Sequence, residues 1–212
     1  MLWIITGIIA SYLIGSIPTA YIFGRLIKGI DIRKHGSGNV GATNALRVLG
    51  KKVGITVLIL DILKGFITVV FLGSFISGNI PFLSGEEVRL ILGISCICGH
   101  NWTIFLNFQG GKGIATTLGV LLGLAFKIGA LKIILGILAI IWLAVFLILG
   151  IVSIASVFTA IALPILVILF GQTHVLISAS ILLCIFVIIR HKSNLKRFFK
   201  GQEPRLNFKK KS

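Results

Sequence analysis

LWIITGIIASYLIGSIPTAYIF, residues 2–23, carries no charged residue, and GSGNVGATN, residues 36–44, follows shortly after it. The first stretch is about as long as an α-helix must be to cross hydrocarbon, roughly 20 residues. The second is rich in glycine, hydroxyl and amide groups. It cannot sit in lipid, where its backbone groups would go unsatisfied. A membrane helix leading to a polar loop at the membrane surface is the first expectation. No basic residue precedes the apolar stretch, and Arg25, Lys28, Arg33 and Lys34 follow it. A cleaved signal peptide has the opposite flanks. The helix is therefore expected to be retained, with its N-terminus outside. Gly7, Ser11 and Gly15 repeat every four residues and form a small-residue face suited to close helix packing.

Outward from this pair, apolar segments run over 53–76, 88–106, 113–126, 131–149, 151–170 and 174–189, which makes seven in all. The 212 residues are 57% hydrophobic and only 12% charged, about half the charged share of a soluble domain. Mean hydropathy is +1.09. Little chain remains outside the apolar segments. The fold class expected is all-α integral membrane, with seven transmembrane helices in a single membrane-embedded domain over 1–212. Cys96, Cys98 and Cys184 fall inside apolar runs and read as packing residues.

The net charge is +16, from 21 Lys and Arg against 5 Asp and Glu. In a soluble protein that balance suits nucleic acid. Here it gathers beside membrane segments, where it sets topology and attracts anionic lipid, so no nucleic-acid partner is expected. Residues 24–52 carry seven basic residues and one acid, and 190–212 carry nine against Glu203. Both blocks belong in the cytoplasm, and the six crossings between them agree. The C-terminus is then cytoplasmic and 77–89, net −1, lies outside. The connection with Lys127 and Lys132 also falls outside, against the rule. Segment 113–126 is the weakest span, ~21 Å at 1.5 Å per residue. This topology brings three polar elements, 35–52, 99–116 and 190–205, to the cytoplasmic face.

Each element carries chemistry. Gly36 to Asn44 has more polar groups than a turn needs, and Arg47 follows. Small residues with backbone N–H groups beside a fixed cation suit an anion, phosphate above all. Gly110-Gly111-Lys112-Gly113 sets a lysine among three glycines at the start of an apolar helix, which also suits phosphate. His191 and Asn194 are three apart and share a helix face, with Arg190 and Arg197 near it. Asp61 and Lys64 lie three apart inside the second span, where charges are costly and usually functional. Ser153 and Ser156 open the sixth span and alone read as caps or interhelical bonds.

What is missing narrows the chemistry. Val40, Phe105, Ala179 and Lys196 stand five residues after the four histidines, so the His-x4-Asp acyltransferase pair is absent. No Gly-x-Ser-x-Gly elbow or Walker loop occurs. No carboxylate cluster could hold two metals. Cations and backbone amides without carboxylates suit transfer chemistry on substrates that bring their own negative charge. No metal or cofactor is expected. The competing reading is a membrane transporter of phosphate or a small organophosphate. Transporters, however, bind near the midplane through broken helices, often in inverted repeats, and no repeat is visible here.

Three ordered motifs resemble the bacterial acyl-phosphate:glycerol-3-phosphate acyltransferases. They are Gly-Ser-Gly-Asn-x-Gly-Ala-Thr-Asn-x-x-Arg over 36–47, Gly-His-Asn-x-x-x-Phe-x-x-Phe-x-Gly-Gly-Lys-Gly-x-Ala-Thr over 99–116, and Arg-His-x-x-Asn over 190–194 with a downstream Gly-x-Glu. The family usually has Pro where this chain has Thr103. The resemblance covers almost the whole chain. It implies transfer of an acyl group from acyl phosphate to the 1-hydroxyl of glycerol 3-phosphate, giving lysophosphatidate and phosphate, the first acylation of phospholipid synthesis. It implies a multi-pass protein of the bacterial inner membrane, with its active site on the cytoplasmic side. A separate soluble enzyme must then make the acyl phosphate. On this reading Ser37, Gly38, Asn39, Gly41, Thr43 and Asn44 hold the acyl phosphate. Arg47 and Lys112, with Gly110, Gly111 and Gly113, take the phosphate of glycerol 3-phosphate or the departing phosphate. His191 and Asn194 orient the acceptor, with His191 or a substrate phosphate oxygen as base. Ser156 supports the phosphate pocket, and Asp61, Lys64 and His100 are supporting residues.

Overall fold

The structure, a computed structural model, describes residues Met1–Leu206. Within these residues the regular structure is helical. Lys209, Lys210 and Lys211 of the basic tail lie outside the described residues. The chain divides into two compact units, Met1–Ile128 and Gly129 onward.

In the first unit, α1 (Leu2–Ser16) and α2 (Thr19–Lys28) together form one apolar segment of 27 residues. The break falls at Ile17-Pro18 because proline disfavours helical backbone in the residue before it, and Ile17 has ψ 112°. α3 (Ala42–Val48) is short. α4 (Lys51–Ile67) runs through a π-helical turn, Thr68–Leu72, into α5 (Gly73–Ser77). α6 (Gly85–Asn101) opens on a capping box: Ser84 Oγ accepts from Glu87 N, and the Glu87 carboxylate accepts from Ser84 N at 2.7 Å. α7 (Ile114–Ala125) follows the glycine loop.

The expected small-residue face of α1 is where it meets α6. Gly7, Ser11 and Gly15 are all buried. A Cβ on Gly15 would fall 1.9 Å from the Cys96 carbonyl, so only glycine permits this approach. The same device joins α4 to α7, where a Cβ on Gly119 would fall 1.9 Å from the Ile62 carbonyl. In hydrocarbon such close van der Waals packing takes over the role that water exclusion plays in soluble cores.

In the second unit, α8 (Gly129–Leu149), α9 (Val152–Leu169) and α10 (His174–Arg190) follow in sequence, with α9 packed against both neighbours. α10 bends by 58° at His191 into α11 (Lys192–Phe199), which packs on α9. The tail then returns, and Leu206 N donates to Gly150 O at 2.8 Å.

Among the described residues, five helical segments are long and apolar enough to cross a membrane, and the bent α10–α11 pair makes a sixth. The weakest expected span, α7, is apolar but only 12 residues long. α8 exposes Ile140, Leu143, Leu147 and Ile148 along its length. Such an apolar surface suits lipid and would be an aggregation liability in water.

Candidate active site

Each unit carries its own polar cluster. In the first, Asp31 begins a short 3-10 turn, Ile32–Lys34, by accepting from Arg33 N at 3.0 Å. The Arg33 guanidinium closes on the same carboxylate at 2.7 Å. That hydrogen-bonded pairing holds the Asp31 carboxyl down at about 2, against an opposing push from burial. The turn launches the Gly36–Asn44 loop. Gly36 and Gly38 sit at φ +61° and +71°, left-handed backbone that glycine adopts without penalty.

Asn44 is the clamp of this loop. It is 1% exposed; its Nδ2 donates to Asn39 O at 2.9 Å and His35 O at 3.1 Å, and its Oδ1 accepts from Ser37 N at 2.9 Å. An amide has two protons to give, and both are spent on backbone. The sequence places Asn44 on the ligand, whereas the structure places it beneath the loop as its scaffold. Ser37 and Arg47 are exposed, and Gly38, Asn39, Gly41 and Thr43 are half-buried. These remain at the loop surface where a ligand could reach them.

The second loop turns back on α6. Asn107 and Phe108 both take positive φ, 52° and 60°, which costs on the order of 1 kcal/mol each for non-glycine residues. The return lets Gly110 N donate to Asn101 O at 3.2 Å and Gly111 N to His100 O at 2.9 Å. Gly113, at φ +79°, caps α7, and Lys112 beside it is half-buried. Asn101 is fully buried behind Gly113. Neither of its amide atoms, nor Thr116 Oγ1, has a hydrogen-bond partner among the described residues. Such orphans are rare in folded proteins, and here two of the residues involved lie beside the glycine loop.

Below this loop lies a buried ion pair. Lys64 Nζ stands 2.9 Å from Asp61 Oδ1, and Thr19 Oγ1 donates to the same oxygen at 2.7 Å. His100 joins them, its Nδ1 2.8 Å from Lys64 Nζ. The supporting trio expected from the sequence, Asp61, Lys64 and His100, thus comes together, and Thr19 is added to it.

In the second unit, Glu203 is the hub. Its side chain is 4% exposed and accepts from Ser153 Oγ at 2.7 Å, from Arg197 Nε at 2.7 Å and from Asn194 Nδ2. Burial pushes this carboxyl up, but the three hydrogen bonds together outweigh it and bring it below its ordinary value. His191, 3% exposed, has its Nδ1 2.8 Å from Val187 O. A carbonyl only accepts, so Nδ1 carries a proton, and a neutral ring has its lone pair on Nε2. Ser156 makes the interhelical bond that its position alone suggested: its hydroxyl donates to Val152 O at 2.9 Å and accepts from Trp142 Nε1 at 3.3 Å. It ties α8 to α9, and Ser153 is the serine bonded into the cluster.

Residues 5–201 match the glycerol-3-phosphate acyltransferase family. The chain belongs to the glycerol-3-phosphate acyltransferase family. It is 44% identical to the glycerol-3-phosphate acyltransferase of Staphylococcus haemolyticus over 97% of this chain and 98% of that one. The corresponding enzyme of Staphylococcus aureus strain Newman is 43% identical over the same shares. Among solved structures it is similar to PlsY (YgiH), an integral membrane glycerol 3-phosphate acyltransferase, in its glycerol 3-phosphate form. That likeness has a TM-score of 0.83 at 34% identity and covers 96% of both chains. The lysophosphatidic acid form of PlsY gives a TM-score of 0.80.

Glu203 and Thr19 are hydrogen-bonded into the two clusters beside the already noted Ser153, and Asn101 is a buried orphan. Glu203 had a signal, as the one acid within a tail of nine basic residues. Thr19, inside an apolar run, had none.

Proposed function

We propose that this protein transfers an acyl group from acyl phosphate to the 1-hydroxyl of glycerol 3-phosphate, releasing lysophosphatidate and phosphate. The likeness to PlsY in its glycerol 3-phosphate and lysophosphatidic acid forms carries the acceptor and the product. The donor is argued from chemistry. Acyl phosphate is a mixed anhydride with a good leaving group, so no enzyme nucleophile is needed, and the protein must only position reactants and stabilise charge. A site of cations, glycine amides and hydroxyls suits that task.

In this mechanism the 1-hydroxyl oxygen attacks the acyl carbonyl carbon and the carbon–oxygen bond to phosphate breaks. Ser37, Gly38, Asn39, Gly41 and Thr43 hold the acyl phosphate, with Asn44 fixing their loop from below. Arg47 and Lys112, with Gly110, Gly111 and Gly113, neutralise phosphate. Asn194, oriented by Glu203, and His191 address the acceptor. The attacking hydroxyl gives its proton to His191 Nε2 or to a substrate phosphate oxygen. His191→Ala separates these routes. A general base contributes roughly 100- to 10,000-fold, so a fall in kcat of that size assigns the proton to His191, and a small fall assigns it to phosphate.

The same proposal places the protein in the bacterial inner membrane with seven spans, α7 completing the set, its N-terminus outside and its C-terminus and active site in the cytoplasm. The charge blocks at 24–52 and 190–212 support this sidedness.

The deciding assay supplies radiolabelled glycerol 3-phosphate to purified protein in lipid, with palmitoyl phosphate or palmitoyl-CoA, and without added metal. Lysophosphatidate from palmitoyl phosphate alone, lost in Lys112→Ala, is the expected result. Product from palmitoyl-CoA alone overturns the donor assignment. No product from either, with the protein folded, overturns the reaction.

A further inference from the structure

The ion pair beneath the Gly110–Gly113 loop is expensive. Opposite charges buried among membrane helices lose hydration that their attraction barely restores. Apolar side chains would pack α1, α4 and α6 at lower cost. What the charges add is direction.

A lysine ammonium has three protons to donate and no lone pair to accept with. Three acceptors surround Lys64 Nζ: Asp61 Oδ1 at 2.9 Å, His100 Nδ1 at 2.8 Å and Ile17 O at 3.3 Å. Ile17 O lies at the break between α1 and α2, where the helix is interrupted by Pro18. Because Lys64 can only donate, His100 Nδ1 must accept. The imidazole is then neutral, with its proton on Nε2. Thr19, donating to Asp61 Oδ1 at 2.7 Å, holds the carboxylate that orients the ammonium.

The opposite edge of the His100 ring meets the glycine loop. A Cβ built on Gly111 would stand 2.1 Å from His100 Nε2, 2.8 Å from Cε1 and 3.0 Å from Cδ2. The ring edge therefore lies directly against the Gly111 backbone. Gly111 N also donates to His100 O at 2.9 Å, so one residue grips the loop through its backbone and its side chain together. Lys112 is the next residue in the chain.

We propose that His100 is a positioning residue: Lys64 fixes its ring as the Nε2–H tautomer against Gly111, and this contact sets the Gly110–Gly113 backbone for phosphate. The proposal rests on reading that loop as the phosphate cradle. His100 acts through Gly111 and Lys112 and takes no part in bond making. Thr19 and Asp61 serve it one step further back, as outer ligands serve a metal-bound histidine.

The test compares His100→Phe, which keeps the ring shape and loses the Nε2 proton, with His100→Gln, whose Nε2 amide places a donor near the same position. Kinetics for both substrates are measured beside thermal unfolding in detergent, with and without glycerol 3-phosphate or inorganic phosphate. Removing a group that orients a metal-bound histidine costs roughly 10- to 100-fold in affinity or activity, and the low end of that scale is the expectation for this loop. We expect His100→Phe to raise KM for one phosphate substrate by about tenfold with kcat little changed, and His100→Gln to recover most of it. Thermal stabilisation by phosphate should be lost in His100→Phe and kept in His100→Gln. A coupling test adds Gly111→Ala, whose new methyl collides with the ring. Combined with His100→Ala it should cost less than the sum of the two single changes.

Unchanged KM values in His100→Phe overturn the proposal. So does equal loss in both His100 variants in parallel with their melting temperature, because a merely structural role predicts that. If wild-type protein makes no lysophosphatidate yet is stabilised by phosphate, and His100→Phe is not, the acyl-transfer reading falls while the positioning role stands. If wild-type protein shows neither turnover nor stabilisation, both fall.

Discussion

The clusters around Lys64 and Glu203 are built in opposite senses. In the first unit one cation is surrounded by three acceptors, Asp61, His100 and the Ile17 carbonyl. In the second, one carboxylate is surrounded by three donors, from Ser153, Asn194 and Arg197. Lys64 sits within a membrane segment and reaches partners 36 and 47 residues away in sequence. Glu203 lies on the returning tail, and two of its three donors are within nine residues. Both fix the side chains around them by satisfying one buried charge with three partners. The membrane-embedded solution has no water to fall back on, so every proton must have a partner. The tail solution needs only to outcompete water. Removing the central charge should therefore cost more in the first cluster than in the second.

The sharpest way to break this comparison is Lys64→Met, where the largest effect is expected. It strands the Asp61 carboxylate, which is 1% exposed. Breaking one partner of a buried pair costs about 3–5 kcal/mol. The double variant Asp61→Asn, Lys64→Met removes both charges and should recover most of that stability. Thermal unfolding in detergent measures both. If single and double variants melt together, Lys64 is not compensating Asp61 and the contrast between the clusters fails.

Next in size is Glu203→Gln. Glutamine keeps one acceptor oxygen and turns an amide donor toward groups that also donate. Losing charge-assisted hydrogen bonds at a nearly buried carboxylate should cost about 2 kcal/mol. Because Asn194 loses its anchor, turnover should fall as well. Activity unchanged at full occupancy would mean that Asn194 needs no orientation from Glu203.

Acid sharpens the comparison further. Asp31 is held at about 2 by Arg33, and Glu203 lies below its ordinary value. Both carboxyls are thus more acidic folded than unfolded. Their contributions are complete above the ordinary carboxylate range and are lost as pH falls, for Asp31 on the way down to about 2. Wild-type protein should lose stability below pH ~4 more steeply than Asp31→Asn or Glu203→Gln. Arg33 is partly solvated, so at neutral pH Asp31→Asn should cost only about 1 kcal/mol. Parallel acid curves for wild type and both variants would remove these two carboxyls from the account.

Much of this architecture is legible in the chain because bilayers impose long apolar runs. Segments 131–149, 151–170 and 174–189 fall within two residues of α8, α9 and α10. The bend at His191 is not legible. The sequence runs residues 190–197 as one helical face, whereas the structure ends one helix and starts another there, still burying both His191 and Asn194. Within the candidate site, residue types near loops are readable, but the division of labour among them is not. An asparagine that clamps a loop and one that binds a ligand look alike in sequence. Only the path of the backbone around Asn44 separates them. The Lys64–His100 contact joins two helices, and pattern within one helix cannot reveal it.

The smallest expected effect concerns Ser156, and it tests whether that serine belongs to substrate binding or to helix packing. Its hydroxyl proton goes to Val152 O at 2.9 Å, one turn back on α9, and its lone pair accepts from Trp142 Nε1 at 3.3 Å. Trp142 also stacks on Phe146, with ring centroids 5.1 Å apart. Trp142→Phe keeps an aromatic ring for the stack, deletes the N–H and shortens the ring system of a half-buried side chain. Ser156 retains its bond to Val152, so no buried donor is orphaned and the cost should stay near 0.5–1 kcal/mol. A tie between α8 and α9 predicts that slight drop in melting temperature, with kcat and both KM values unmoved. A serine that supported phosphate would respond differently, because freeing its lone pair would alter the contact made in the bound complex. A severalfold change in KM for either substrate in Trp142→Phe, without loss of stability, would return Ser156 to the binding site and leave the α8–α9 tie without its evidence.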